Sequence, residues 1–169
     1  MIELAPVTAE TWVAVARLEL APEQEGLVSP NVWSLAEAGF FPGHQPRVFL
    51  HGGEPVGFCM YTVDDEAPAS GLFWLFRYMV AAEHQGKGYG RAALPLVLEE
   101  MRAAGARTIR TMHRPENSVA ARLYASAGFR QVGVLSSGSS GWFCIVVSVR
   151  SRSCGVAVTR IRIVCGRGV

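Results

Sequence analysis

A glycine-rich stretch in the middle of the chain has residue types and spacing that suit a phosphate group. It reads Gln85-Gly86-Lys87-Gly88-Tyr89-Gly90 and continues with Arg91. An apolar run precedes it, and apolar residues at helical spacing follow from 92 to 101, which predicts a strand, a loop and a helix. Glycine lets a ligand approach the main chain, and the first amides of a helix lack internal partners at its positive end. The stretch therefore predicts a phosphate site.

The spacing of the glycines excludes two common nucleotide loops. A Rossmann loop requires Gly-x-Gly-x-x-Gly, whereas Gly86, Gly88 and Gly90 are each two residues apart. A Walker loop requires Gly-Lys-Ser/Thr, whereas Lys87 is followed by Gly88. The stretch instead resembles the Gln/Arg-x-x-Gly-x-Gly/Ala loop of the GNAT superfamily of acyl-CoA N-acyltransferases. The resemblance implies that residues 85–91 hold the pyrophosphate of acetyl-CoA, the expected co-substrate.

A second motif supports the same resemblance. Asn117 is followed by Leu123-Tyr124 and by Gly128-Phe129, which is similar to the closing signature of the superfamily. The resemblance implies that Asn117 bonds the pantetheine arm, and that Tyr124 lies beside it as the general acid for the departing thiolate. From the residues alone, Asn117 also suits a helix N-cap and Tyr124 a core position. Both roles of Asn117 are compatible.

The resemblance also implies a fold. It is a mixed α and β fold, with a twisted central sheet of about six or seven strands, a splayed central strand pair and about four helices. The run from 72 to 80 is the central strand, and the main chain at Met79 and Val80 would pair with the pantetheine arm. Ahead of it we predict a helix over 9–20 capped by Thr8, and a second helix capped by Ser29.

Acidic residues supply candidates for binding a cationic acceptor. The stretch from Glu23 and Glu25 to residue 38 resembles that of bacterial spermine/spermidine N-acetyltransferases, which implies that it borders the acceptor site. Asp64 and Asp65 end a predicted strand and would form a second acidic rim. Solvated acidic loops are the alternative explanation for both groups.

The general base is less well defined by the sequence. In many relatives a glutamate on the central strand has this role, but residues 75–78 contain no acid. The remaining candidates are a water chain, His113, or an acid among Glu23, Glu25, Asp64 and Asp65. Of these we select Glu25.

Composition narrows the class of protein. The 169 residues carry a net charge of +2, but residues 1–116 carry −5 and residues 117–169 carry +7. The four cysteines lack metal-ligand spacing, so we expect free thiols and no metal. The N-terminus lacks signal-peptide features and no apolar run reaches spanning length, so we expect a cytoplasmic protein without a membrane or nucleic-acid partner. A homodimer is compatible with this interpretation.

The C-terminal segment departs from the superfamily pattern. We assign residues 1–135 to the acyltransferase domain and 136–169 to an atypical segment with a possible last strand at 142–149. Residues 136–169 contain no acid and no lysine, as either a shifted reading frame or a genuine basic tail would produce.

These observations together predict an N-acetyltransferase that moves an acetyl group from acetyl-CoA to a primary amine of a small cation, with a polyamine as first choice. The alternatives are another amine (an aminoglycoside, an amino acid or a protein N-terminus) or a catalytically weak acyl-CoA-binding protein.

Overall fold

The computed structural model describes residues 1–64, 68–136 and 143–150. Within them seven strands form one sheet, flanked by four α-helices. The strands are β1 (Ile2–Pro6), β2 (Gln45–His51), β3 (Glu54–Val63), β4 (Leu72–Val80), β5 (Thr108–His113), β6 (Arg130–Ser136) and β7 (Phe143–Arg150). The helices are α1 (Trp12–Ala16), α2 (Asn31–Phe40), α3 (Tyr89–Ala103) and α4 (Ser118–Ser126). This architecture confirms the predicted fold class.

The sheet is mixed because one pair of its strands is parallel. The strand order is β1-β2-β3-β4-β5-β7-β6, with β4 and β5 parallel and the other neighbours antiparallel. Gly52 and Gly53 join β2 to β3 with φ angles of 61° and 85°, which residues with a side chain rarely adopt. From residue 143 onward, the strand predicted at 142–149 corresponds to β7, which lies between β5 and β6, and residue 142 lies outside the described residues.

The core consists of two apolar clusters on opposite faces of the sheet. On β3, Phe58 and Met60 belong to one cluster, whereas Cys59 and Tyr61 belong to the other. Alternate residues of a strand point to opposite faces, so each cluster occupies one face. The first cluster includes side chains of α1 and α2, and the second includes side chains of α3 and α4. The sheet is therefore the middle of three layers.

The two helices ahead of the sheet differ from the prediction. α1 is capped by Thr11, not Thr8, and is much shorter than the predicted 9–20. Beyond its end, the Glu19 carbonyl accepts a 2.9 Å hydrogen bond from the Ala82 amide, so a tertiary contact replaces further helical bonding. α2 has Pro30 at its N-cap, so the predicted Ser29 cap is wrong.

Candidate active site

The central strands β4 and β5 separate partway along their length. They pair only where Leu72–Leu75 of β4 faces Thr108–Thr111 of β5. At the same point β4 carries a bulge: Met60 and Tyr61 of β3 face Arg77 and Leu75, which leaves Phe76 without a partner on β3. This geometry confirms the predicted splayed pair. It leaves the edge of β4 after the bulge without β5 as a partner, so a ligand can hydrogen bond there.

Met79 and Val80 are the two residues predicted to pair with pantetheine, and their main-chain groups point to opposite sides of β4. The Met79 carbonyl oxygen lies 2.6 Å from the position that a Cβ on Gly57 would occupy, so it faces β3. Main-chain groups of successive strand residues point to alternate sides, so those of Val80 point away from β3. The Val80 carbonyl accepts a 2.9 Å hydrogen bond from Gln85 Nε2. Val80 is therefore the better placed of the two for a ligand in the splay.

The glycine loop leads directly into α3 and leaves amides open at its start. Gly86 and Gly88 have φ angles of 73° and 79°, and no atom lies within 4 Å of a Cβ built on either. Gly88 is the N-cap, and the first helical hydrogen bond runs from the Ala92 amide to the Gly88 carbonyl. The amides of residues 89–91 thus have no partner within the helix. The exposed side chains of Lys87 and Arg91 add positive charge. The arrangement fits a diphosphate.

Two side chains hold this loop against β4. The Tyr78 hydroxyl donates a 2.6 Å hydrogen bond to the Gly90 carbonyl. Gln85, the first residue of the loop, directs its side-chain amide at β4. The Gln85 side chain therefore shapes the loop through its contact with β4. The ring of Tyr89 packs on His51, with centroids 4.8 Å apart.

Asn117 caps α4. Its Oδ1 accepts a 3.0 Å hydrogen bond from the Ala120 amide, which confirms the capping role. The Oδ1 atom is therefore committed to the helix, whereas the Nδ2 group is the part of the side chain that a ligand carbonyl would use.

Tyr124 lies beside both of the separated strands. Its ring centroid is 6.4 Å from that of Tyr78 on β4 and 6.3 Å from that of His113 on β5. The residue is 5% exposed. Burial raises the pKa of Tyr124 to about 12, and a hydrogen bond with the Thr111 side chain opposes that shift. The phenol is therefore protonated at neutral pH and can act only as a proton donor there.

Thr111 is a member of this cluster that sequence reasoning missed. It is 2% exposed and lies two residues before His113 on β5, so both side chains share one face of the strand. The alternation of side chains along β5, at the strand end nearest the splay, is the sequence signal that could have identified Thr111. His113 Nδ1 lies 2.9 Å from the Arg114 carbonyl oxygen, which can only accept, so Nδ1–H donates in this contact.

The predicted acceptor-binding acids do not form one cluster. Glu23 and Glu25 are exposed, and they flank Gln24, which hydrogen bonds with Gln85 at the glycine loop. The Asp64 carboxylate accepts a 2.9 Å hydrogen bond from the Trp74 indole, near the start of β4. The length of β4, roughly 25 Å, separates the two groups. Glu23 and Glu25 therefore lie apart from Asp64, and Asp65 lies outside the described residues.

An acid closer to the bulge comes from α2. Glu37 Oε2 lies 3.4 Å from a terminal nitrogen of Arg77, and Arg77 Nε donates to Ser34 Oγ at 3.2 Å. Arg77 immediately follows the bulge residue Phe76. Sequence reasoning looked for this carboxylate on the central strand and in loops, and so missed Glu37.

Within residues 1–64, 68–136 and 143–150, no three His, Cys, Asp or Glu side chains form a group that could hold a metal ion. No helix in this part of the chain is long and apolar enough to cross a membrane.

Comparison with known proteins agrees with the family resemblance of the sequence motifs. The sequence profile of the Acetyltransferase (GNAT) family matches residues 12–129. The spermine/spermidine N(1)-acetyltransferase of Bacillus subtilis (strain 168) is 27% identical over 138 residues, which are 79% of this chain and 91% of that protein.

Solved structures show the same fold. The ribosomal-protein-S18-alanine N-acetyltransferase from Escherichia coli aligns with a TM-score of 0.69 at 17% identity, over 95% of this chain and 100% of that one. Mycobacterium smegmatis RimJ in complex with CoA-disulfide aligns with a TM-score of 0.71 at 23% identity, over 89% of this chain and 82% of that one.

Proposed function

This chain belongs to the acetyltransferase (GNAT) family, and on that premise we propose that it transfers an acetyl group from acetyl-CoA to a primary amine of a polyamine such as spermine or spermidine. The observation that carries acetyl transfer is the unpaired edge of β4 leading directly to the open N-terminus of α3. The polyamine acceptor is supported by the relative from Bacillus subtilis and by the acidic segment at Glu23 and Glu25.

Binding of acetyl-CoA uses main-chain groups first. The amides of residues 89–91, with Gly86 and Gly88, would hold the pyrophosphate, and Lys87 and Arg91 would offset its charge. Val80 and the Nδ2 group of Asn117 would bond the pantetheine arm. Acetyl-CoA supplies the activated acetyl thioester. Holding it and the amine in one cleft in a reactive geometry can contribute about 7–11 kcal/mol of the barrier reduction.

The acceptor must lose a proton before it can attack. A primary ammonium has a pKa of about 10.4, so a small fraction is neutral at pH 7 and a base accelerates the reaction. We keep Glu25 as the first candidate for this base, with Glu23 as a second carboxylate that attracts the cation. Glu37 is a further candidate because it lies next to the bulge.

The departing sulfur needs a proton, and Tyr124 is suited to give it. Its raised pKa keeps the hydroxyl protonated over the whole working range. Its ring lies next to both β4 and β5 where they separate. The hydrogen bond with Thr111 orients the hydroxyl before the reaction.

A thiol-release assay tests the proposal. With acetyl-CoA present, we expect release of free CoA with spermidine and spermine at least tenfold faster than with an aminoglycoside, an amino acid or an alanine-terminated peptide. Faster release with any of those three would overturn the polyamine acceptor while leaving acetyl transfer intact. CoA binding without thiol release for any amine would instead indicate an acyl-CoA-binding protein.

One observation favours a peptide N-terminus as the second candidate acceptor. A cleft of about 580 Å³ between α1 and α2 is lined mainly by apolar side chains, among them Trp12, Val32 and Leu35. A polyamine carries several positive charges and the lining of this cleft contains no carboxylate, whereas a peptide offers uncharged apolar side chains. The peptide in the assay panel addresses this candidate directly.

A further inference from the structure

Two segments that are distant in sequence are joined beside the glycine loop. One is the turn around residues 19–24, between α1 and α2, and the other is the end of β4 with the residues that follow it. The Ala82 amide donates to the Glu19 carbonyl at 2.9 Å. Gln24 Nε2 donates to Gln85 Oε1 at 3.1 Å, and Gln85 Nε2 donates back to Gln24 Oε1 at 2.7 Å. The two side-chain amides thus form a reciprocal pair.

The reciprocal pair and a bond to Val80 together fix the orientation of the Gln85 side-chain amide. A primary amide has two N–H donors. In Gln85 one bonds Gln24 Oε1 and the other bonds the Val80 carbonyl at 2.9 Å. A flip of the amide would place its oxygen against the Val80 carbonyl oxygen, so only one orientation satisfies both contacts. The side chain at the start of the loop is therefore held at three points.

The backbone immediately after Gln85 depends on that anchor. Gly86 has a φ of 73° and open space around it, so neither sterics nor packing restricts this residue. The fixed points of the loop are the Gln85 side chain before it and the Tyr78 bond to Gly90 after it. Without Gln24, Gln85 keeps a single partner, Val80. The phosphate-binding shape of the loop then becomes one of several accessible conformations.

We propose that Gln24 is a positioning residue, which acts through Gln85 to hold residues 86–91 in the conformation that binds the diphosphate of acetyl-CoA. This inference rests on the proposed function. Gln24 also lies between Glu23 and Glu25, so the same contact attaches the acidic segment of the acceptor side to the co-substrate loop. The pair is uncharged, so its effect does not depend on pH between 6 and 9 or on salt.

Binding of CoA measured by calorimetry tests this role without relying on turnover. Gln24→Met keeps the side-chain length but cannot form the amide pair. We expect it to raise the Kd for CoA by about tenfold, since two hydrogen bonds that order the loop are lost. The pH profile of turnover should keep its shape. Gln131→Ala is the control, because Gln131 is exposed on the edge strand β6 and far from the loop in the sheet order.

A double-mutant cycle separates positioning from a general effect on folding. If Gln24 acts through Gln85, the Gln24→Met/Gln85→Ala protein should bind CoA no more weakly than Gln85→Ala alone. Additive losses, or a Kd for Gln24→Met equal to that of the unsubstituted chain, would overturn the role of Gln24. Circular dichroism checks that each variant is folded. If Gln24→Met does not fold, Gln24→Ala takes its place in the cycle. Failure of the unsubstituted chain to bind CoA would overturn the proposed function itself, and this inference with it.

Discussion

The hydroxyl group of Tyr78 donates a 2.6 Å hydrogen bond to the main-chain carbonyl of Gly90. Tyr78 lies on β4 beyond the bulge, and Gly90 is in the first turn of α3, so the bond spans the glycine loop. A Cβ on Gly90 would lie 3.4 Å from a methyl carbon of Val80, so the start of α3 lies against the strand. The unpaired end of β4 and the start of α3 are therefore fixed relative to each other by the protein itself.

Tyr78→Phe removes this bond and leaves the Gly90 carbonyl with its helical partner alone. Loss of one such hydrogen bond costs about 0.5–1.5 kcal/mol. We expect the KM for acetyl-CoA to rise by about tenfold, with a smaller change in kcat, because the loop loses its second anchor. Steady-state kinetics with varied acetyl-CoA measure this effect.

The control for that variant is Tyr61→Phe, which removes a hydroxyl bonded to Glu100 elsewhere in the fold. It should lower the melting temperature while leaving the KM for acetyl-CoA unchanged. Equal KM values for Tyr78→Phe and the unsubstituted enzyme would show that the bond to Gly90 does not shape the site.

Gly88→Ala tests the backbone conformation at the start of α3. The φ of 79° at this N-cap costs a residue with a Cβ about 1–2 kcal/mol, although there is open space for the methyl group. We expect weaker CoA binding by fivefold or more, because the strain is relieved by moving the loop. Gly39→Ala is the matched control: it lies in α2 without a positive φ and with equally open space, so it should be neutral or stabilising. A Gly88→Ala protein with unchanged CoA affinity would exclude this account.

The parts of the fold that the sequence predicted well are those governed by local pattern. The apolar run at 72–80 is β4, the glycine stretch with positive φ at Gly86 and Gly88 precedes α3, and Asn117 caps α4. Each of these depends on hydrophobic periodicity, on positive φ or on a side chain that bonds its own helix. None requires knowledge of a distant residue.

The features that the sequence did not predict depend on contacts between distant segments. α1 ends early, and the Glu19 carbonyl bonds Ala82 across 63 residues of chain. Asn31 is 3% exposed and donates to the Val15 carbonyl, a role that its position at a helix start does not indicate. Glu37 of α2 lies 3.4 Å from Arg77 of β4, 40 residues further along the chain. Tertiary packing decides such pairings, and single-residue propensity carries no information about them.

Glu100→Gln tests a contact that holds α3 to the sheet away from the site. One oxygen of Glu100 accepts from Arg47 Nε at 2.7 Å and from the Tyr61 hydroxyl, with the two charged side chains 32% and 15% exposed. Removing the charge should cost about 1–3 kcal/mol of unfolding free energy, less at high salt. Urea denaturation at two salt concentrations measures the loss, and the KM for acetyl-CoA should not change. The neighbouring Glu99→Gln is the control, since Glu99 is exposed. Equal stability of the two variants would argue that the contact contributes nothing.

Tyr124→Phe tests the proposed general acid. Proton transfer by a positioned side chain contributes about 10²–10⁴-fold to rate, so we expect kcat to fall by at least a hundredfold. The unsubstituted enzyme should become faster from pH 6 to 9 as the amine deprotonates. It should show no decline assigned to Tyr124 in that range, because the pKa of this residue is raised to about 12. Thr111→Val, which removes only the orienting hydrogen bond, should reduce kcat less. A Tyr124→Phe enzyme with full kcat would exclude the phenol as the acid.

The same raised pKa predicts how stability changes in alkali. Above about pH 10 the unfolded chain loses the Tyr124 proton while the folded protein keeps it, so unfolding becomes more favourable as the pH rises towards 12. At pH 11 this difference is about 1.4 kcal/mol. Tyr124→Phe has no phenol proton to lose at this position. Between pH 9 and pH 11, the unfolding free energy of the unsubstituted protein should therefore fall by about 1.4 kcal/mol more than that of Tyr124→Phe. Urea denaturation at both values measures this, and the other buried tyrosines cancel because both proteins contain them. An identical decrease in the two proteins would mean that the Tyr124 hydroxyl is in contact with water, and it would remove the reason for its staying protonated beside the splayed strands.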